Sequence, residues 1–357
     1  RFAKDKRWNL FPSFSAGWNV AREAFMEPTS HIINTLKIRG SWGELGNQNT
    51  ENLYPYIQLM KFVAQDPDSH WLINNSRPNT ANAPDLISAL LGWETMRSWN
   101  IGFDLGLLSN RLTVSLDWFN RKTINMVGPA PELPVTLGAN VPKVNNADMQ
   151  STGFELDLGW RDQIRGFNYG VHLLLSDDRQ KILKYPNKTG KIDTWYAGEY
   201  SGNIWGFETI GVAKSQEEMD AHLASLPNGG QDALGSKWGA GDIMYRDLNG
   251  DGKISSGATL NDPGDRKIIG NNSPRFKFGL DLNASWKGFD ARLFFQGVAK
   301  RDAWLGDNMF WGATGDIWQS ACFTPHLDFF REGDDFWSPN TNAYFPRPLS
   351  VNYAKNQ

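Results

Sequence analysis

A single cysteine, Cys322, in 357 residues excludes an internal disulfide and any cysteine-rich metal site. Histidine is scarce as well. His31, His70, His172, His222 and His326 are scattered, and none stands in a ligand spacing such as HExxH. Neither sign of charge is in excess, with 36 Lys and Arg against 39 Asp and Glu. That balance gives no basic footprint for nucleic acid. No apolar run reaches the roughly 18 residues of a transmembrane helix. Transmembrane β-strands need only about ten alternating residues and leave the average low. The mean hydropathy of −0.49 therefore excludes no membrane location. The chain starts at Arg1, without an initiating Met or a signal peptide, and is expected to be part of a longer protein.

Aromatic residues are plentiful instead: 16 Trp, 21 Phe and 9 Tyr, beside 35 Gly and 18 Pro. The dominant pattern is alternation with period two. In WNIGFDLGLL, Ile101, Phe103, Leu105 and Leu107 share one face, and Asn100, Gly102, Asp104 and Gly106 the other. LTVSLDWF sets Leu112, Val114, Leu116 and Trp118 against Thr113, Ser115 and Asp117. GFELDLGW and FNYGVHLLLS repeat the pattern, as do the stretches from Phe276 to Trp286 and from Phe289 to Phe295. LKIRGSW near the start alternates Leu36, Ile38 and Trp42 with Lys37, Arg39 and Ser41.

A soluble two-sheet sandwich would alternate in the same way. Two features favour a membrane barrel. Charges stand in mid-strand on the polar faces (Asp104, Asp117, Glu155, Asp157, Asp281, Arg292), as a wet lumen requires. Connections are also lopsided. Tight turns at Leu108–Leu112, Arg161–Gly166 and Lys287–Phe289 alternate with long connections at about residues 48–95, 127–148, 181–275 and 300–349. Short periplasmic turns and long extracellular loops are the asymmetry of an outer-membrane barrel. Trp8, Trp18, Trp42, Trp99, Trp118, Trp160 and Trp286 fall at strand ends, where aromatic girdles sit.

These residues also resemble a family. NLFPSFSAGW (Asn9–Trp18) followed by LKIRGSWGELGNQ (Leu36–Gln48) is similar to a strand pair of TonB-dependent outer-membrane receptors of the SusC/RagA type. In that family's order follow DWFNRKTINMV, NNADMQSTGFELDLGW, GNIWGFETIGVAKSQEEMD, GDIMYRDLNGDGKIS, DRKIIGNNSPRFKFGL and FWSPNTNAYFPRP. The pieces span nearly the whole chain. The resemblance implies an all-β fold, an antiparallel transmembrane barrel of roughly 22 strands of which residues 1–357 supply about ten. The N-terminal plug, the energy-coupling segment and the closing strands lie outside this stretch, and an isolated portion would have two open edges that lipid does not tolerate. It further implies a multi-pass outer-membrane location, import of oligosaccharides or peptides energised through the TonB complex, and a SusD-like surface lipoprotein as partner.

DLNGDGKIS (Asp247–Ser255) is the start of an EF-hand calcium loop. Asp247, Asn249 and Asp251 occupy loop positions 1, 3 and 5, Gly252 position 6, and Lys253 offers its carbonyl at 7, but position 12 is Ala258 instead of Glu. Asp262 and Asp265 follow past an insertion, and in the family's pattern the acidic residue before R-x-I-I-G is Asp265. The expectation is Ca²⁺ held by Asp247, Asn249, Asp251 and the Lys253 carbonyl, completed by Asp265 or Asp262, in a structural role. GDIMYR and RKIIG read as strands, so the flanking helices of a calcium sensor are absent. Loop aromatics form two groups, Trp195, Tyr196, Tyr200 and Trp205, and Trp304, Trp311, Trp318 and Trp337. Flat rings stack on sugar C–H faces and also suit peptide side chains, so these are candidate substrate contacts. No nucleophilic triad is legible, and the pairs Asp177-Asp178 and Asp334-Asp335 read as solvated surface, not glycosidase carboxylates. The chain is read as a transport receptor and not an enzyme. The alternative is a secreted, calcium-stabilised β-sandwich that binds or cleaves polysaccharide.

Overall fold

The computed structural model describes residues 2–48, 54–60, 62–68, 71–81, 84, 86–88, 91–130, 141–305, 323–333 and 336–348. Two compact units are present: one within residues 1–188, 195–201 and 274–300, the other within 189–194, 202–273 and 301–357. The first unit contains β1 (Ser13–Asn19), β2 (Ile33–Asn47), a short ribbon of β3 (Phe62–Val63) and β4 (Thr80–Ala81), β5 (Glu94–Leu107), β6 (Leu112–Gly128), β7 (Val144–Ile164) and β8 (Phe167–Lys184). The second contains β9 (Asn203–Phe207), β10 (Thr209–Val212), α1 (Gln216–Ala224), β11 (Ile243–Tyr245) and β12 (Arg266–Asn271). Then β13 (Arg275–Trp286) and β14 (Phe289–Lys300) belong to the first unit again.

Eight strands make one antiparallel sheet in the order β1-β2-β5-β6-β7-β8-β13-β14. That is fewer than the expected ten or so. The difference is physical: β9 to β12 are three to six residues long, too short to cross a bilayer, and pair in two ribbons of their own.

Register decides which side meets lipid. Trp18, Ile38, Phe103, Leu116, Leu156, Leu175 and Phe278 stand in one row across seven strands. Leu36, Leu105, Val114, Leu158, Leu173 and Leu280 form a second row on the same face. On this face Ile101 is 55% and Leu293 59% exposed among the described residues. Among the described residues every other sheet has only two strands, too few to form the second layer of a sandwich. On β5 the apolar positions run from Trp99 to Leu107, about 27 Å along the strand, which after tilting matches a hydrocarbon band of roughly 25 Å. Aromatic pairs mark its ends. Phe14 stacks on Trp42 at 6.1 Å and Trp99 meets Trp118 edge-on at 5.1 Å. At the turn end, Phe167 stacks on Tyr169 at 5.9 Å.

The opposite face is polar and ion-paired. Arg39 on β2 donates to Asp117 at 2.5 Å, to Asp104 at 3.2 Å and to Ser115 at 3.1 Å. His172 lies 2.8 Å from Asp157, and Arg292 Nε donates to Asp281 at 2.7 Å. These charges satisfy each other across strands, as the wet side of a barrel wall requires. The turn-side connections are as tight as expected. Arg165-Gly166 and Lys287-Gly288 both have positive φ at each residue, the type I′ geometry whose twist suits paired strands.

The second unit has its own core of Ala213, Met219, Leu226, Trp238, Met244, Tyr245 and Ile254. Sequence reasoning missed α1, although Ser215-x-x-Glu218 is a capping signal. Ser215 accepts the Glu218 N–H at 3.3 Å, the Glu218 carboxylate accepts the Lys214 N–H at 2.6 Å, and Met219 anchors the helix in the core.

Candidate functional site

The loop from Arg246 to Asp265 joins β11 to β12, so strands flank it on both sides, as expected. Its odd positions turn inward onto its own backbone. Asp247 accepts the N–H groups of Gly250 at 2.6 Å and Gly252 at 2.8 Å. Asn249 accepts from Asp251 N–H at 3.0 Å, and Asp251 accepts from Lys253 N–H at 3.1 Å. Gly250 and Gly252 have φ of 74° and 78°, a left-handed backbone that glycine adopts without strain.

Asp265 is fully buried and spans the loop. One oxygen accepts the Leu248 N–H at 2.8 Å, the other the Ser255 N–H at 2.7 Å. The clasp assigned to Asp265 is therefore made already by hydrogen bonds. Its carboxyl also lies against that of Asp247. Partial burial pushes the Asp247 carboxyl up, but the donors at Gly252, Gly250 and Asp251 and the Asp265 contact outweigh it, and the group ends below the usual carboxylate range. Asp262 closes a separate turn, accepting the Gly264 N–H at 3.4 Å and donating its own N–H to Thr259. Asn228 ties the loop to the segment after α1, donating to the Asp251 carbonyl at 2.6 Å, and Ile254 inserts into the core.

The donors on offer are all oxygens, the chemistry of a hard cation. Among the described residues, no three His, Cys, Asp or Glu side chains converge into a ready metal cage. Asp247, Asn249, Asp251 and Asp265 bring oxygen atoms to one loop, and Asp262 is held elsewhere.

The aromatic residues are distributed differently from their sequence grouping. Trp195, Tyr196 and Tyr200 belong to the first unit, whereas Trp205, Trp304 and Trp337 belong to the second. Trp195 meets Tyr185 edge-on at 5.6 Å, and Tyr200 lies under the cations of Arg179 and Lys181. Trp205 is on β9 with its indole N–H buried and unpaired. Trp304 is 56% exposed, and Trp337 packs on Phe329 and Phe336 beside Arg331. Trp311 and Trp318 lie outside the described residues, as do Asp334 and Asp335. Asp177 is ion-paired with Arg275 and Asp178 with Lys277, which is structural use and not acid–base pairing.

Comparison with known proteins agrees with this architecture. Residues 1–344 match the family model "TonB dependent receptor-like, beta-barrel". TonB-dependent receptor P3 of Formosa agariphila is 27% identical over 97% of this chain and 33% of its own length. TonB-dependent receptor SusC of Bacteroides thetaiotaomicron is 27% identical over 81% of the chain and 27% of its own length. The chain thus spans about a third of the curated relatives it matches. Among solved structures, the RagAB peptide importer in its closed-closed state superposes with a TM-score of 0.70 at 19% identity, covering 100% of this chain and 36% of that one.

Proposed function

Because this chain belongs to the β-barrel family of TonB-dependent receptors, an outer-membrane family, we propose that it forms part of the wall of an active importer. The cargo is an oligosaccharide, or a peptide as the second reading. Energy comes through the TonB complex acting on a plug, and a SusD-like surface lipoprotein closes the mouth. The observation that carries this reading is the one-sided sheet: an uncovered apolar face backed by a face of paired charges around Arg39, Asp104 and Asp117. Such a wall encloses a polar path through lipid. Exposed Trp195, Trp304 and Trp337 favour sugar stacking. The likeness to a peptide importer keeps the peptide reading in play.

Calcium belongs to the same reading. Asp247, Asn249, Asp251 and the Lys253 carbonyl would hold Ca²⁺, with Asp265 closing the loop. The ion would bridge the oxygens of the loop, and it would stiffen an extracellular loop.

The test is uptake by the full-length receptor in its native outer membrane, with and without a working TonB. Labelled oligosaccharide and peptide pools are offered to both strains. Loss of uptake of one pool without TonB supports the proposal and selects the cargo. Equal uptake of both pools in the two strains overturns it.

A further inference from the structure

Above the apolar band, the lipid-facing side of the first unit changes character within a few residues. Outward positions on β8 run Val171, Leu173, Leu175 and then Asp177, Arg179, Lys181, following the alternation of the strand. From Leu175 to Arg179 is about 13 Å along the strand, less after tilting, which places Arg179 in the headgroup layer and not in hydrocarbon. In register beside them on β7 stand Phe154, Thr152 and Gln150, and on β6 Trp118, Asn120 and Lys122.

Part of this surface, with Gln150, Thr152 and Phe154 on β7 and Asp177, Arg179 and Lys181 on β8, lines a cavity of about 500 Å³ on the outward face. Trp118 and Phe154 line it where it adjoins the apolar band, and Arg179, Lys181, Arg275 and Tyr200 line the rest. Charge there is unbalanced. Asp177 is the acidic residue in the lining, and it is committed to Arg275 and to the Phe276 N–H at 3.2 Å. Arg179 and Lys181 have no carboxylate within ion-pair distance among the described residues. Both cations lie instead over the Tyr200 ring, at 5.2 Å and 5.7 Å from its centre. Gln150 and Thr152 add neutral hydrogen-bonding groups to the same lining.

We propose that this cavity seats the phosphate-bearing headgroup of an outer-leaflet lipid, with an acyl chain running down the apolar face past Trp118 and Phe154. Two unpaired cations match a phosphate, and the aromatic floor is continuous with the row of apolar side chains that faces hydrocarbon. A cavity facing lipid, on the side away from the Arg39 network, suits a membrane component and not a transported solute. The bound lipid would fix the upper ends of β7 and β8, from which the long connection after Lys184 departs.

The test uses the full-length receptor in detergent, with lipid A as the probe and native mass spectrometry as the readout. Dephosphorylated lipid A and millimolar inorganic phosphate serve as comparison arms. Replacing both cations, Arg179→Gln with Lys181→Gln, is expected to weaken lipid A binding about thirtyfold. Lys37→Gln, on the polar face, is expected to leave it unchanged. Heat-modifiable migration checks that each variant is a folded barrel. If the double variant does not fold, Arg179→Gln alone is read the same way, with about a fivefold loss expected. Equal binding by folded variant and parent overturns the proposal. So does equal binding of the dephosphorylated lipid, or displacement of lipid A by inorganic phosphate, which would make this a free-anion site.

Discussion

Arg347 reaches back across 105 residues to the fully buried carboxylate of Asp242, donating from Nε at 2.7 Å and from Nη2 at 2.5 Å. Its main-chain N–H also donates to the Gly241 carbonyl at 2.8 Å. The pair therefore joins two of the family-like pieces, GDIMYRDLNGDGKIS and FWSPNTNAYFPRP, into one folded unit.

Removing one partner would strand the other charge. Arg347→Ala is expected to destabilise the second unit by about 3 kcal/mol, at the low end for a broken buried pair because Arg347 keeps some water contact. Hydrogen exchange of residues 207–254 in the full-length receptor would rise, while exchange in β5 to β8 stays unchanged. Equal protection in variant and parent would contradict the buried-pair argument.

Asp265 is the next position to change. In Asp265→Asn, the amide group can accept from only one of Leu248 and Ser255, and its NH2 faces the other donor. The loop is expected to lose about 2 kcal/mol of local stability, with or without Ca²⁺. Asp251→Ala should instead lower calcium affinity while protection of the calcium-free loop changes little. Calorimetric titration and hydrogen exchange, measured on both variants, separate the two effects.

Asp247 makes the loop acid-sensitive in a stated direction. Its carboxyl sits below its ordinary value when folded. A depressed carboxylate adds stability that is fully present above the unfolded value of about 3.9, and that stability is lost as pH falls through the folded value. Protection of the Gly250 and Gly252 amides, corrected for intrinsic exchange, should hold from neutral pH to about 4 and fall below it. Loss of protection between pH 7 and 5 would point to another group.

The two faces of the sheet should respond oppositely to charge. Phe103→Lys, on the apolar face at mid-band, is expected to cost about 2–4 kcal/mol of barrel stability. Ser115→Lys, on the polar face beside Asp104 and Asp117, should cost far less. Denaturant unfolding in lipid vesicles, followed by the heat-modifiable band, compares them. A larger loss at Ser115 would invert the assignment of lumen and lipid.

Much of this was legible in one dimension. Alternation in WNIGFDLGLL and LTVSLDWF placed Ile101 and Trp118 on one face, because successive strand residues point to opposite sides whatever the strand's neighbours are. Turn positions such as Lys287-Gly288 were equally local. The second unit was harder. α1 left a local trace in Ser215-x-x-Glu218, but it was hidden within a stretch otherwise read as loop between strands.

By itself, the sequence determined the two faces of the sheet, the tight turns, the membrane class and the oxygen-rich loop, since all depend on residues near each other in the chain. Tertiary structure alone decided the long-range pairings. Asp265, not Asp262, closes the loop because β12 starts directly after it and carries it beneath Leu248 and Ser255. Trp195 and Trp205 part company because the chain changes compact unit between them. Arg179 and Lys181 face one cavity with Trp118 because strand register aligns β6, β7 and β8. Register is fixed by how whole strands bury and pair their faces, which no short stretch of sequence contains.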